Sequence, residues 1–296
     1  MEPEVAVVTV SYGSAAELRN WFSSLEKSTR RALVVIVADN RPEEAVASLA
    51  RDHHARYVPL AHNPGYGGAV NAAVTGLPDS IRWILVSNPD VDFEDGAIEA
   101  LQSAAEQDLR IGSVGPAVLN DDGSIYPSAR MVPSLRIGTG HALFSGIWAN
   151  NPWSRAYRAV SADPGSARDV GWLSGSCVLV RRSAFEEIGG FDEGYFMYFE
   201  DVDLGYRLGK SGYRNRYEPA ARIVHHGAHS TSGDSSVRMI RAHHASARRF
   251  VSTKYPGPLL APVRLVLAVG LRARAALHTR RARRALLSDS RTETGG

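Results

Sequence analysis

An α/β fold with a Rossmann-like, mostly parallel sheet and helices on both faces is predicted by two features of the chain. Short β-branched apolar runs alternate with helix-like segments over the first hundred residues, and three of those runs end in polar residues. Such alternation implies βαβ units, whose strands, buried on both faces, read as near-continuous hydrophobic stretches. Ligands of open parallel sheets bind beyond the carboxyl ends of the strands. The polar endings Ser11-Tyr12, Asp39-Asn40 and Asn88-Pro89-Asp90 are therefore expected to meet in one crevice.

Element by element, strands are expected at residues 5–10 (VAVVTV), 33–38 (LVVIVA) and 83–86 (WILV), with a weaker one at 56–60. Helices are expected between them at 15–25, 42–51 and 68–76, and another at 96–107 precedes a strand near 112–119. Asn120-Asp121-Asp122-Gly123 is a turn signal. From 126 to about 169 the chain is rich in Pro, Gly, Ser, Trp and Arg without periodicity, as a functional loop region would be. Order resumes with a strand at 176–181, helices at 182–188 and 200–211, a strand-like run at 221–224 and a later polar helix carrying His243-His244, expected to be solvated.

At 296 residues the chain is long enough for a full core, and 44% hydrophobic with 22% charged residues is an ordinary soluble composition. A single cysteine, Cys177, excludes an internal disulfide framework and suits a reducing compartment. The start lacks the basic and apolar regions of a secretory signal, and no apolar stretch reaches the roughly 18 residues of a spanning helix, so a cytoplasmic location is expected. Residues 250–296 hold nine Lys/Arg against two Asp/Glu, leaving 25 against 29 in the remainder. The basic character belongs to the tail.

Asn88-Pro89-Asp90-Val91-Asp92 follows an apolar strand directly, so its carboxylates suit a hard cation bridging two phosphates, or equally a turn with local backbone bonds. Asp39-Asn40 is read either as a contact to a base or ribose or as a helix cap. Asn63-Pro64-Gly65-Tyr66-Gly67-Gly68-Ala69-Val70-Asn71 links glycines into a helix start, where a phosphate could approach, but it is neither a dinucleotide fingerprint nor a P-loop. Glu200-Asp201-Val202-Asp203 sets three carboxylates after the aromatic run Tyr195–Phe199. Apolar neighbours and mutual repulsion raise carboxylate pKa values toward those of a general base, although acids also simply cap first turns. His225-His226-Gly227-Ala228-His229 lacks zinc spacing, leaving a metal ligand or a surface turn.

The order of these segments carries more than any one of them. Thr-Val-Ser-Tyr, Ala-Asp-Asn, the glycine link, Ser-Asn-Pro-Asp-Val, Trp172-Leu173-Ser174-Gly175-Ser176, Gly-Gly-Phe-Asp-Glu, Phe-Glu-Asp-Val-Asp-Leu-Gly-Tyr-Arg and His-His-Gly-Ala-His-Ser together resemble family 2 glycosyltransferases over about residues 4–255. Tyr126-Pro127-Ser128-Ala129-Arg130, Asn151-Pro152-Trp153 and the basic tail resemble its members that rhamnosylate a polyprenol-linked acceptor.

What the resemblance implies is a GT-A fold and an inverting transfer of L-rhamnose from dTDP-L-rhamnose to N-acetylglucosaminyl-diphospho-polyprenol. Such a transfer belongs to synthesis of the linker between peptidoglycan and arabinogalactan, with Mg²⁺ or Mn²⁺ as cofactor. Carried over by motif, Thr9, Ser11, Tyr12, Asp39, Asn40, Asn63, Gly67, Asn71, Asn88 and Asp90 would bind the donor. Asp90, Asp92 and His225 would hold the metal. Trp172, Ser174, Gly175, Ser176 and Arg130 would line the acceptor site, and Asp201 would be the general base with Glu200 and Asp203 beside it. One departure is that the usual Asp-x-Asp reads Asn88-Pro89-Asp90 here, leaving Asp92 or His225 to complete the ligands.

Residues 1–257 are expected to form the catalytic domain, with a nucleotide-sugar half at 1–120 and an acceptor half at 121–257. Residues 258–287 are expected to form a basic amphipathic helix, lying on a membrane surface or docked on the domain, and 288–296 a disordered tail. Nucleic acid is not an expected partner, since the tail lacks interleaved aromatics and the body is acidic. Monomer or homodimer is left open. A family 2 transferase using another sugar, a metal-dependent nucleotidyltransferase and a non-catalytic sugar-nucleotide module are the competing classes. The second would want a basic glycine loop after the first strand, which Ser11-Tyr12-Gly13-Ser14 does not offer.

Overall fold

The computed structural model describes residues 2–134, 164–227, 234–270 and 272. Strands β1 (Val5–Ser11), β2 (Leu33–Asp39), β3 (Arg56–Pro59) and β4 (Trp83–Ser87) alternate with helices α1 (Ala15–Ser28), α2 (Glu44–Asp52) and α3 (Gly65–Ala73), as the apolar runs predict. After them come β5 (Val91–Phe93), α4 (Ala97–Glu106), β6 (Ile111–Leu119), the short β7 (Ile125–Tyr126) and β8 (Ala129–Arg130), β9 (Arg168–Val170), β10 (Trp172–Leu173) and β11 (Cys177–Arg181). Helices α5 (Arg182–Glu187) and α6 (Glu200–Lys210), the long β12 (Arg214–His225) and α7 (Asp234–Lys254) complete the order.

The main sheet runs β3-β2-β1-β4-β11-β6-β12-β5. Its first four strands are mutually parallel. Strand β11 is antiparallel to both β4 and β6, and β12 lies parallel to β6. Strands β4, β6 and β12 therefore point the same way, and β11 begins where they end. The carboxyl rim of the sheet thus gathers the ends of β1, β2, β4 and β12 together with the start of β11.

Both faces are covered, which is why these strands carry no polar alternation. Val5 and Val7 of β1 join Leu18, Trp21, Phe22 and Leu25 of α1 and Ile98 and Leu101 of α4 in one apolar core. The alternate residues Ala6 and Val8 are equally buried on the opposite face. Within the core, Trp21 stacks edge-on against Phe22 and Phe93, and its indole N–H donates to Ser87 Oγ at 2.9 Å. A buried donor thereby keeps its partner at the end of β4.

The chain divides into two compact units that are discontinuous in sequence. The first holds residues 1–63, 69–191 and 201–227, hence the whole sheet. The second holds 64–68, 192–200 and 228–296. In the second unit the aromatic run packs on α7. Phe199 lies 5.8 Å from Phe250, the rings of Tyr198 and Phe199 meet His243, and Arg249 grips the Asp192 carboxylate through Nε and Nη2. Tyr198 and Phe199 take φ of 65° and 68°, a left-handed backbone rare for large side chains, held here by those contacts. His243-His244 is only half solvated, since His244 is buried and His243 exposed.

Trp21→Ala removes the largest side chain of the core and orphans Ser87. It is expected to cost about 3–5 kcal/mol, seen as a lower urea midpoint at an unchanged slope.

Candidate active site

At the carboxyl rim, Pro89 ends β4 and the chain turns through Asp90 into β5, which pairs antiparallel with the last residues of β12, Val91 opposite His225. The backbone N–H of His226 donates to Asp90 O at 3.0 Å and locks the turn. As a result His225 Nε2 lies 3.2 Å from Asp90 Oδ1 and 3.2 Å from Asn88 Nδ2. Burial works to raise the Asp90 pKa, but the His225 ring beside it prevails and holds the carboxyl below its ordinary value. Asp90 Oδ1 is buried, with the His225 ring nitrogen as its neighbour.

A few ångströms along the rim, β11 is entered through Ser174-Gly175-Ser176. The Ser176 carbonyl accepts the Asn88 N–H at 2.9 Å, so the turn after β4 is tied to this loop. Gly175 N–H donates to Asp201 Oδ2 at 3.1 Å, and Val202 N–H to Asp201 Oδ1 at 2.8 Å. Burial raises the Asp201 pKa against these two backbone donors and the nearby Arg130 charge. The side chain is nonetheless only half-buried, so part of the carboxylate still faces outward.

Helical spacing explains which acids of α6 can act. Asp201 and Gly205 are four residues apart and share a face. A Cβ at Gly205 would lie 2.7 Å from the Trp172 Cβ, so glycine there lets the helix approach β10 and seats Asp201 at Gly175. Asp203 is turned away: it is fully buried and ion-paired with Arg207 Nε at 2.6 Å. Its expected place beside the base gives way to a structural one. Glu200 opens the helix and belongs to the second unit, as does Gly67.

On the acceptor side, β8 pairs with β10, setting Arg130 opposite Trp172. The Arg130 guanidinium lies 5.8 Å from the Trp172 ring and 5.6 Å from that of Tyr126. Ser174 N–H donates to Ser128 O at 2.7 Å, and the Ser174 and Ser176 hydroxyls are 3.1 Å apart. Arg130, Trp172, Ser174, Gly175 and Ser176 therefore form one connected patch leading to Asp201.

At the ends of β1 and β2 the expected donor residues divide. Tyr12 is exposed, with Arg41 5.1 Å over its ring. Asp39 is enclosed. Its oxygens accept the Arg41 and Glu43 N–H groups and the Tyr57 hydroxyl, which burial and Asp39 itself push up to about 12, so that Tyr57 stays a donor. Asp39 thus closes the turn after β2 rather than capping α2, whose N-cap is Glu43, while Asn40, beside it, is buried at the strand end. Thr9 and Ser11 are fully buried within β1. Asn71 is a further correction: its amide gives and takes hydrogen bonds with the Phe191 backbone at 2.9 Å each, bracing the Gly189-Gly190 turn. Asn63 is exposed on the loop before α3.

Asp92 is likewise redirected. It lies within β5 while Asp90 lies in the turn before that strand, and its carboxylate pairs with His226 Nε2 at 3.0 Å, while His226 Nδ1 meets Asp121 at 2.6 Å. Sequence reasoning read His226 only as a metal ligand or turn residue and Asp121 only as a turn residue, and it passed over Arg41 and Arg207. Among the described residues no group of three or more His, Cys, Asp or Glu is gathered to hold a metal. His229 and Asn151-Pro152-Trp153 lie outside them.

Comparison with known proteins gives the family. Residues 3–245 match the family described as glycosyltransferase like family 2. The chain belongs to that family. It is 43% identical over 291 residues to the N-acetylglucosaminyl-diphospho-decaprenol L-rhamnosyltransferase of Mycobacterium tuberculosis, covering 95% of this chain and 94% of the relative. It is 42% identical over 257 residues to the rhamnosyltransferase WbbL of Escherichia coli, covering 84% and 93%. Among solved structures, a mannosyltransferase from Pyrobaculum calidifontis in complex with GDP-Man and Mn²⁺ superposes with TM-score 0.57 at 16% identity, covering all of this chain and 76% of the other. The fold of this glycosyltransferase is GT-A.

For a family 2 enzyme the Asp90–His225 couple is a workable cation seat. One buried carboxylate oxygen and one imidazole nitrogen supply oxygen and nitrogen ligands, and small divalent cations commonly complete their shell with substrate phosphates and water. Cys177 is buried and its thiol pushed up by that burial, so it is no nucleophile.

Asp203→Ala leaves Arg207 half-buried without its partner. It is expected to cost about 3–5 kcal/mol of stability, lowering the melting temperature, while folded protein at low temperature keeps most of its turnover.

Proposed function

We propose that this glycosyltransferase moves L-rhamnose from dTDP-L-rhamnose to N-acetylglucosaminyl-diphospho-polyprenol with inversion of configuration, in the synthesis of a cell-wall linker. The rhamnose and the acceptor class are supported by likeness to the mycobacterial enzyme, whose name states both. One observation carries the chemistry: a single half-exposed carboxylate, Asp201, is held by Gly175 N–H in the loop bonded to the turn that bears Asp90.

In this mechanism Asp90 and His225, with Asn88 beside them, would hold Mg²⁺ or Mn²⁺, which when bound neutralises charge on the departing diphosphate. Metal-bearing solved structures of the same fold support the cofactor class. His225 Nε2, 3.2 Å from both Asp90 Oδ1 and Asn88 Nδ2, would be the nitrogen ligand. Tyr12 and Arg41 offer a flat, cationic face to the nucleotide. Asp201 takes the proton of the acceptor hydroxyl as that oxygen attacks the anomeric carbon from the face opposite the leaving group. One base suffices, and no covalent nucleophile is needed.

The raised pKa of Asp201 fixes the sign of the pH dependence. A base works ionised, so the acid limb of kcat/KM should fall at a pH above 3.8, the ordinary carboxyl value. Asp201→Asn is expected to keep dTDP-rhamnose binding and the native circular dichroism while losing transfer by at least about 10³-fold; turnover within tenfold of wild type refutes the base assignment. Activity removed by EDTA and restored by added Mg²⁺ or Mn²⁺ is the expected result for the cofactor, and undiminished activity in EDTA refutes it.

Residues 1–257 are proposed as the catalytic domain, and the segment after it as a contact to the inner face of the membrane. No helix of the described residues is long and apolar enough to cross a bilayer. Residues 261–270 are helical, yet Leu259, Leu265, Val266 and Val269 remain more than half exposed, which supports lipid over intramolecular docking. The arginines at 280–284 and the expected disordered end lie outside the described residues. Truncation after residue 257 is expected to abolish co-sedimentation with anionic vesicles; unchanged pelleting counts against the tail.

A further inference from the structure

A second apolar surface lies away from the tail, next to the acceptor patch. Ile125 and Tyr126 are each 40% exposed and Met131 57% exposed, all within seven residues around β7 and β8. Scattered exposed apolar residues are ordinary, but these border a built cation. Arg130 sits between the rings of Tyr126 and Trp172, and its Nε donates to the Pro127 carbonyl at 2.7 Å. Its two terminal nitrogens make no hydrogen bond among the described residues. Trp172 is itself fixed, its indole N–H donating to the Met131 carbonyl at 3.2 Å.

These groups have an order. From the Asp201 carboxylate the connection runs through Gly175 and Ser174 to the facing pair Arg130 and Trp172; Tyr126 lies 5.6 Å from Arg130, Met131 accepts the Trp172 indole N–H through its carbonyl, and Ile125 precedes Tyr126 in β7. A base, polar hydroxyls with an aromatic face, a stacked guanidinium and an apolar edge follow one another. An acceptor of the proposed class has the matching order: a reacting hydroxyl, a pyranose, a diphosphate and an isoprenoid chain. Guanidinium forks suit phosphate oxygens, and the unbranched Met and branched Ile suit methyl-bearing isoprene.

We propose that Ile125, Tyr126 and Met131 form the seat of the first isoprenoid units of the lipid acceptor, with Arg130 on its diphosphate; this rests on the acceptor class proposed above. The enzyme would then recognise its acceptor's lipid directly, besides any anchoring by the tail.

The test compares kcat/KM for a long-chain polyprenyl-diphospho-GlcNAc in detergent with that for a soluble short-alkyl diphospho-GlcNAc, using the full chain and Ile125→Ser/Met131→Ser. Both side chains are at least 40% exposed, so their truncation opens no cavity. The long-to-short ratio is expected to fall about tenfold, equivalent to about 1.4 kcal/mol. A ratio within twofold of wild type, or equal losses on both acceptors, overturns the seat. So does an unchanged ratio with weakened binding to vesicles of phosphatidylglycerol, which would make the edge a bilayer contact. If the wild type transfers to neither acceptor, the acceptor class falls and the seat with it; if it transfers to both and the variant matches it, only the seat falls.

Discussion

The antiparallel ladder between β4 and β11 is the constraint on which the site depends. Cys177 faces Ser87 across it, so β11 must start at the edge where β4 ends. That single reversal brings Ser174-Gly175-Ser176 beside Asn88, and the Ser176 carbonyl closes the link. Since β6 and β12 are parallel to each other and antiparallel to β11, His225 at the end of β12 returns to the same rim. Groups more than a hundred residues apart thereby meet through hydrogen bonds of the backbone, which hold position more firmly than side-chain contacts on mobile loops.

Electrostatics then sort acids that look alike in the sequence. Asp201 and Asp203 are two positions apart on one helix, which places them on different sides of it. One meets two backbone N–H groups and a pocket that favours its neutral form; the other is ion-paired with a guanidinium inside the fold. Asp90, in the turn before β5, meets His225, and Asp92, within β5, meets His226.

Glycine makes the arrangement compact where it counts. Gly205 lets α6 lie against β10, and Gly190, at φ 73°, lets its turn close on the Asn71 amide. Larger residues there would push apart the elements that carry Asp201 and the glycine-rich helix start.

The sequence by itself determined the alternating strands and helices of the first half, the rim on which polar residues gather, and the family. Apolar β-branched runs and turn residues are local signals, and eight ordered motifs leave little freedom to a fold. The long β12 was legible only over residues 221–224, since Arg214 to Pro219 reads as polar, and β5 and β7 to β10 are too short to show a period. Tertiary structure alone decided the direction of β11, the pairing of Asp203 with Arg207 and of Asp92 with His226, and the enclosure of Asp39 by Tyr57. Strand direction and side-chain partnership are set by residues distant in the chain, whose packing no local pattern encodes.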